Sequence, residues 1–300
     1  MRRWLLNNLG FSGLLLLAAL LCQGGAVARQ AEARPLRLVS LAPSITETLY
    51  ALGAGSQLLA VTDYCDYPAA AQGLPKVGGY YDPNFEVILS LRPDVAVLLS
   101  EHQEAAQRLR QLGVPVLVVE MHSVAGLITT YLQLGAVCGA EAKAAVLIRE
   151  LLDAVSGSRD AVPPPEQRPR VLIVVSRDYQ ARGIHETYVA GRGEFYDELL
   201  ETAGAENAYR RPWPKYPKLT VEGVMSLDPD VIIELVGDPE FAGRPLDSLA
   251  DDWQQVPGWQ TGRRRRVEIL AGSYTVRPGP RLPLLLWDLR QALKTSQEPE

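Results

Sequence analysis

Short, unbroken apolar runs alternate along the chain with longer stretches whose apolar residues recur at helical spacing. The runs around Leu36–Leu41, in "DVAVLL", in "VLIVV" and in "DVIIEL" predict strands buried on both faces, as in a mostly parallel sheet. The stretches "SITETLYALGAG" and "GEFYDELLETAG" predict helices that close at Gly53 and Gly204, where a left-handed cap suits glycine. Ser44 and Glu47 have the spacing of a capping box at the start of the first of these helices.

One phrase occurs twice. "FEVILSLRPDVAVLL" (85–99) and "VEGVMSLDPDVIIEL" (221–235) align with Glu86 on Glu222, Ser90-Leu91 on Ser226-Leu227 and Pro93-Asp94-Val95 on Pro229-Asp230-Val231. Asn84 and Thr220 stand two residues ahead of the glutamates, where an N-cap belongs, and Pro93 and Pro229 forbid further helix. Each copy thus reads as helix, stop, strand. With the elements upstream, each half runs strand, helix, connection, helix, strand, which is a duplicated α/β architecture. Between the halves, Gly139–Gly157 carries Val146, Leu147, Leu151, Leu152 and Val155 as one helical stripe, ended by "PPPEQRP". This predicts an α/β protein of two similar lobes, each a mostly parallel sheet flanked by helices: an N-terminal lobe over 36–138, one long rigid helix over 139–160 and a C-terminal lobe over 168–295.

The first residues do not belong to that pattern. Arg2 and Arg3, the run "GFSGLLLLAALL" and the small-x-small end Ala26-Val27-Ala28 predict a signal peptide over residues 1–28. Its apolar run is shorter than the roughly 20 residues of a membrane span. Lipidation at Cys22 is the second option, but the bulky Leu20-Leu21 precedes that cysteine. The expected product is a soluble exported protein. Cleavage leaves 28 basic against 35 acidic residues, a net charge of −7. Nucleic acid is therefore not an expected partner, and the run Arg263–Arg266 reads as a solvated turn. Cys65 and Cys138 either pair, as an oxidising compartment permits, or stand as separate thiols.

Enzyme signatures are missing. His185-Glu186 lacks the second histidine of a zinc-protease box, Gly191–Gly193 lacks the third glycine of a dinucleotide loop, and there is neither a Walker motif nor a G-x-S-x-G elbow. With three histidines in the whole chain, His102, His122 and His185, a histidine metal cage would need all of them to converge. No catalytic residue and no metal site are expected. Four loops from both halves instead carry aromatics: Tyr64 and Tyr67 in "TDYCDYP", Tyr80 and Tyr81 in "VGGYYDPN", Trp213 and Tyr216 in "RRPWPKYP", and Tyr274 with Arg277 in "AGSYTVRPGPR". Ligands of open α/β sheets sit beyond the strand carboxyl ends, where such loops lie, so a shared aromatic cleft between the lobes is predicted.

On these motifs the chain resembles the periplasmic substrate-binding proteins of ABC importers for vitamin B12, ferric siderophores and haem. The resemblance runs from "RLVSLAPSITETLYALG" to "GPRL", and "VTDYCDYP", "VGGYYDPNFEVILSLRPDV" and "RPWP" point to the cobalamin-binding branch. It implies two lobes on a rigid helix and capture of cobalamin, with haem or a ferric siderophore as the alternative cargo. A corrinoid-modifying enzyme on the same scaffold is a more distant alternative. Tyr64 matches a binding tyrosine, Tyr80 a frequent tryptophan and Trp213 a binding tryptophan, with Tyr81 and Tyr216 beside them. Ser273, Tyr274 and Arg277 match a ligand-touching loop. Leu99 and Val175 replace aromatics of the best-known B12 binder, and Ser273 replaces an aspartate. In an iron-binding relative Tyr80 or Tyr81 would ligate ferric iron, or Arg277 would pair a carboxylate. Glu86 and Glu222 match the two glutamates that dock such proteins, as monomers, on arginines of a twofold permease dimer.

Overall fold

Continuous apolar strands need cover on both faces, and the computed structural model supplies it with helices on each side of two sheets. It describes residues 34–157, 163–238, 243–259 and 265–294. The segment read as a signal peptide, with Cys22, lies outside the described residues, as do Arg263 and Arg264. The described residues from Leu36 onward form one compact unit.

The first sheet contains β1 (Leu38–Ser40), β2 (Leu58–Val61), β3 (Val95–Leu99) and β4 (Val116–Val119) in the order β2-β1-β3-β4, all parallel. Its helices are α1 (Pro43–Ala51), the short α2 (Ala69–Gln72), α3 (Phe85–Leu91), α4 (Gln103–Gln111) and α5 (Val124–Cys138). After α6 (Glu141–Ser156), the second sheet is built on β5 (Arg170–Arg177), β9 (Val231–Val236) and β10 (Arg266–Ala271), which are parallel in the order β10-β9-β5. Beyond β5 an antiparallel extension of β6 (Glu186–Val189) and β8 (Lys218–Thr220) continues the sheet, and the two-residue β7 (Glu206–Asn207) pairs with the start of β5. The helices of this half are α7 (Phe195–Ala203), α8 (Val221–Ser226), α9 (Leu246–Gln254) and α10 (Leu282–Lys294).

The repeated phrase repeats in three dimensions down to single hydrogen bonds. The Asn84 side chain caps α3 through the Val87 amide at 3.1 Å, and Thr220 caps α8 through Gly223 at 3.3 Å. Just past each helix, Arg92 and Asp228 both take a left-handed φ of 48°, uncommon without glycine. The guanidinium of Arg37 then donates to the Leu91 carbonyl at 2.8 Å, while Arg170 donates to Leu227 at 2.6 Å. Asp94 accepts from the Arg37 amide at 2.8 Å, and Asp230 from the Arg170 amide at 2.7 Å. Each helix end is thereby fastened to the first strand of its own half. The equivalence rests on an arginine whose distance from the phrase hid it from a reading along the chain.

The linking helix runs over Glu141–Ser156, about 24 Å at 1.5 Å per residue, and the face it buries differs from the predicted one. Leu151 is buried, and Leu147 and Val155 pack on the core, whereas Val146 and Leu152 are exposed and Ala144 is buried in their place. The neighbouring helix decides this. A Cβ on Gly135 of α5 would fall 2.7 Å from Ala144 Cβ, so two small residues let α5 and α6 meet closely. Around that contact one apolar cluster runs from Leu38, Ile45 and Leu127 through Leu151 to Ile173, Leu199 and Leu286, joining both sheets. Separate clusters around Leu98 and Leu109, and around Ile232 and Trp253, cover the outer faces.

Two further expectations are corrected. Ser44 and Glu47 form no capping box. The N-cap of α1 is Ala42, with no side-chain bond, and Glu47 is buried at 3% exposure against arginines of the other half. Arg265 and Arg266 are half-buried and hydrogen-bonded to the protein, not a solvated turn. Arg265 donates to the Trp259 carbonyl and to Asp228, each at 2.8 Å, and Arg266 to the Ala292 carbonyl at 2.8 Å. Cys65 and Cys138 are separate thiols: Cys65 Sγ lies 3.2 Å from the Thr46 hydroxyl and 3.1 Å from that of Thr62.

Candidate functional site

Parallel strands that all point one way bring the loops after their carboxyl ends to one edge of the sheet. Ser44 at the start of α1, Leu99 at the end of β3, and Met121 and His122 after β4 line a hollow of about 190 Å³. From the second half come Val276, Arg277 and Pro278 after β10, Tyr196 on α7 and Tyr216 ahead of β8, while Tyr80 closes the hollow from the first half. A neighbouring hollow of about 410 Å³ is lined by Tyr81, Glu101 and His102. The Tyr80 hydroxyl donates to Glu101 Oε1 at 2.7 Å, so this one bond spans from the first hollow to the second.

Gly78 makes that placement possible. Its φ is +92°, and a Cβ there would fall 2.8 Å from the Asp82 carbonyl oxygen, so only glycine turns the chain tightly enough to set Tyr80 and Tyr81 side by side. The two rings meet edge to face at 4.8 Å, and His102 packs edge-on against both, at 4.4 and 5.6 Å. His102 is buried with neither ring nitrogen hydrogen-bonded to protein, and burial depresses its pKa, so the ring is a neutral spacer. Glu101 accepts from His122 Nε2 at 3.0 Å as well as from Tyr80. Burial alone would raise the Glu101 pKa, but the His122 and Tyr80 hydrogen bonds outweigh it and bring it to about 2. The same hydrogen bond to Glu101 raises the pKa of His122. Burial, reinforced by Glu101, lifts the Tyr80 phenol far above its ordinary value, so Tyr80 is a neutral donor. Burial followed by the charges of Glu194 and Glu101 lifts Tyr216 to about 12.

Opposite this acidic and aromatic wall stands a pair of arginines. Arg277 grips Asp66 with both terminal nitrogens, one of them at 3.1 Å, and donates to the Tyr64 carbonyl at 3.3 Å. Arg281 makes two bonds to Glu47, at 2.8 and 2.6 Å, and lies 4.1 Å over the Tyr67 ring.

Of the predicted ligand residues, Tyr80, Tyr216 and Arg277 line one hollow. Tyr81 lies beside Tyr80 on the other, and Tyr64 meets Arg277 through its carbonyl. Tyr64, Tyr81 and Trp213 expose 59, 76 and 73% of their surface. Ser273 and Tyr274 are not in the lining. Ser273 Oγ accepts from Arg281 at 3.0 Å, and the Tyr274 hydroxyl donates to Asp288 on α10. Glu86 and Glu222 are exposed in the first turns of α3 and α8. Among the described residues no group of three or more His, Cys, Asp or Glu side chains is gathered to hold a metal ion. Glu47, Glu101, His122, Tyr196 and Arg281 escaped the sequence reading. Glu47 stands in a helical stretch with no solvated face, every residue from Pro43 to Leu49 being buried, which the polar Ser44, Thr46 and Thr48 around it conceal in the sequence.

The sequence profile described as periplasmic binding protein matches residues 38–263. The chain is 28% identical, over 83% of its length and 76% of the relative's, to an uncharacterized ABC transporter substrate-binding lipoprotein of Bacillus subtilis. It is 27% identical, over 82% of its length and 84% of the relative's, to a vitamin B12-binding protein of Vibrio parahaemolyticus. Among solved structures, the periplasmic heme-binding protein BhuT in complex with two hemes superposes with a TM-score of 0.71 at 28% identity, covering 87% of this chain and 98% of that one.

Proposed function

Since the chain belongs to the periplasmic binding protein family, and so is a non-catalytic substrate-binding component of an ABC transporter, we propose that its cargo is cobalamin. The cargo is held between the lobes by the tyrosines and Trp213 and released to the membrane permease. The observation that carries this reading is a set of large exposed rings: Tyr81 and Trp213, on the loops that also supply Tyr80 and Tyr216 to the hollow, and Tyr64, whose carbonyl accepts from Arg277 of its lining. A flat, partly apolar ring system covers such surfaces, with a few polar groups setting its orientation. The vitamin B12-binding relatives, matching over most of the chain, support the same cargo.

Pockets for small molecules usually measure roughly 300–1,000 Å³. The hollow between the sheets is smaller, at about 190 Å³, and its neighbour beside Tyr81 is about 410 Å³. A corrin therefore occupies the mouth, against the exposed rings, and not an enclosed chamber. The second reading is haem, supported by Tyr80 and His122 facing one hollow and by the likeness to a heme-binding protein. In that case Tyr80 would have to surrender its bond to Glu101 before ligating iron. Visible-spectrum and calorimetric titration with cyanocobalamin, haemin and a ferric siderophore decides between them. Tight binding of haemin with indifference to cyanocobalamin refutes the cobalamin reading.

Delivery is assigned to Glu86 and Glu222. Each sits in the first turn of a side-chain-capped helix whose far end is bolted to its own sheet by Arg37 or Arg170. This gives two like carboxylates on like mounts for a twofold-symmetric permease. The site of action is extracytoplasmic, with export by the leader read over residues 1–28.

A further inference from the structure

We propose that Glu47 is a positioning residue: from the first half of the chain it locks Arg281 of the second by two hydrogen bonds and stands as a buried counter-charge to Arg277, and so fixes the guanidinium that faces an acidic group of the cargo. The inference rests on the cleft being the ligand site. Glu47 lies on α1, within a helical stretch buried on all sides. Its carboxylate takes both Nε and Nη2 of Arg281, at 2.8 and 2.6 Å, and stands 3.6 Å from Nη1 of Arg277. The chain separation is 234 residues, so this fork crosses from one half to the other. A buried, forked carboxylate–guanidinium pair is directional and hard to replace by water.

The three charged groups around Arg277 are not equivalent. Glu47 is buried behind it, whereas Asp66 is half exposed at its outer edge. Arg281, held by Glu47 and stacked on Tyr67, screens the buried carboxylate from the other side. A ligand carboxylate or phosphate arriving from solvent meets Asp66 and can share or take its place. It cannot reach Glu47. Glu47 thus sets where Arg277 stands, and Asp66 occupies the side of Arg277 that a ligand approaches.

Two probe pairs separate the sources of the acidic group: cyanocobalamin with dicyanocobinamide, which lacks the nucleotide loop and with it the phosphodiester, and haemin with its dimethyl ester, which lacks the free propionates. For whichever pair the wild type binds, Glu47→Gln is expected to weaken the acid-bearing member about tenfold, the scale of one lost charge-assisted hydrogen bond. The acid-free member should change less than about twofold. Combined with Arg277→Gln, the change should add nothing further. Equal losses for both members, unchanged binding, or additivity with Arg277→Gln overturns the proposal. Hydrogen exchange without ligand tests the lock independently: Glu47→Gln should raise exchange in residues 43–52 and, across the molecule, in 272–281. A rise confined to α1 overturns it. If the wild type binds neither pair, the cargo reading fails and exchange alone decides the lock. Where Glu47→Gln does not fold, Glu47→Gln with Arg281→Met removes both buried charges together and takes its place.

Discussion

Trp213→Ala tests the proposed cargo most directly, because the structure sets the size of the effect. The indole leaves 73% of its surface in water. For a side chain of roughly 250 Å² that is about 180 Å², and a flat ligand lying on one side covers about half of it. At about 25 cal/mol per Å², ~90 Å² of renewed burial is worth about 2 kcal/mol, or about thirtyfold in Kd. The same working for Tyr64, 59% exposed, gives about 1.5 kcal/mol. Calorimetric titration with cyanocobalamin should show these losses as a raised Kd, and stopped-flow mixing should assign them chiefly to faster dissociation, with Trp213→Phe recovering most of the affinity. Since both rings are exposed, neither substitution opens a core cavity, and melting temperatures should hold. Wild-type affinity in Trp213→Ala, with cyanocobalamin still bound, would refute the stacking account.

Three other expectations follow from the same geometry. Charge reversal at both docking positions, Glu86→Lys with Glu222→Lys, should leave ligand affinity near wild type and impair transport more than either change alone; normal delivery by the double variant would reduce both residues to helix-terminal acids. Solution scattering should show only slight contraction on ligand binding, because α5, α6 and α10 share the core that joins the sheets; a large contraction contradicts this. The Glu101–His122 pair gives a pH signature. The raised pKa of His122 makes its contribution complete below about 6.5 and lost as pH rises through the folded value, while the depressed pKa of Glu101 makes its share complete above about 4.5 and lost as pH falls toward about 2. Thermal melts should therefore separate wild type from His122→Ala most widely near pH 5.5 and least near pH 8.5, about one and two pH units to either side of an ordinary histidine; a pH-independent difference would show that His122 acts by packing alone.

What could be read along the chain was whatever neighbouring residues decide between themselves. Asn84 and Thr220 cap the helices they precede, and Gly53 and Gly204 close theirs with positive φ, because caps and stops are made by residues three or four apart. The linking helix was legible for the same reason, but which side of it faced inward was decided by Gly135 on another helix. The antiparallel arm of β6 and β8 went unforeseen because its short strands look like loop until they pair. Glu47 was misread because its spacing from Ser44 suits a local bond, and the partners that claim it lie more than two hundred residues away. The aromatic loops could be found by composition; the hydrogen bonds that orient them, Tyr80 to Glu101 and Arg277 to Asp66, could not.

A chain that repeats itself invites the thought that each half is a small protein in its own right. The apolar cluster shared by Leu38, Leu151 and Leu286 argues otherwise. Cut between the halves, each fragment would carry a wet greasy face where its sibling now lies, and would aggregate or pair with another copy before it did anything useful. Melting should accordingly be one event, with no stage at which one half stands while the other has dissolved.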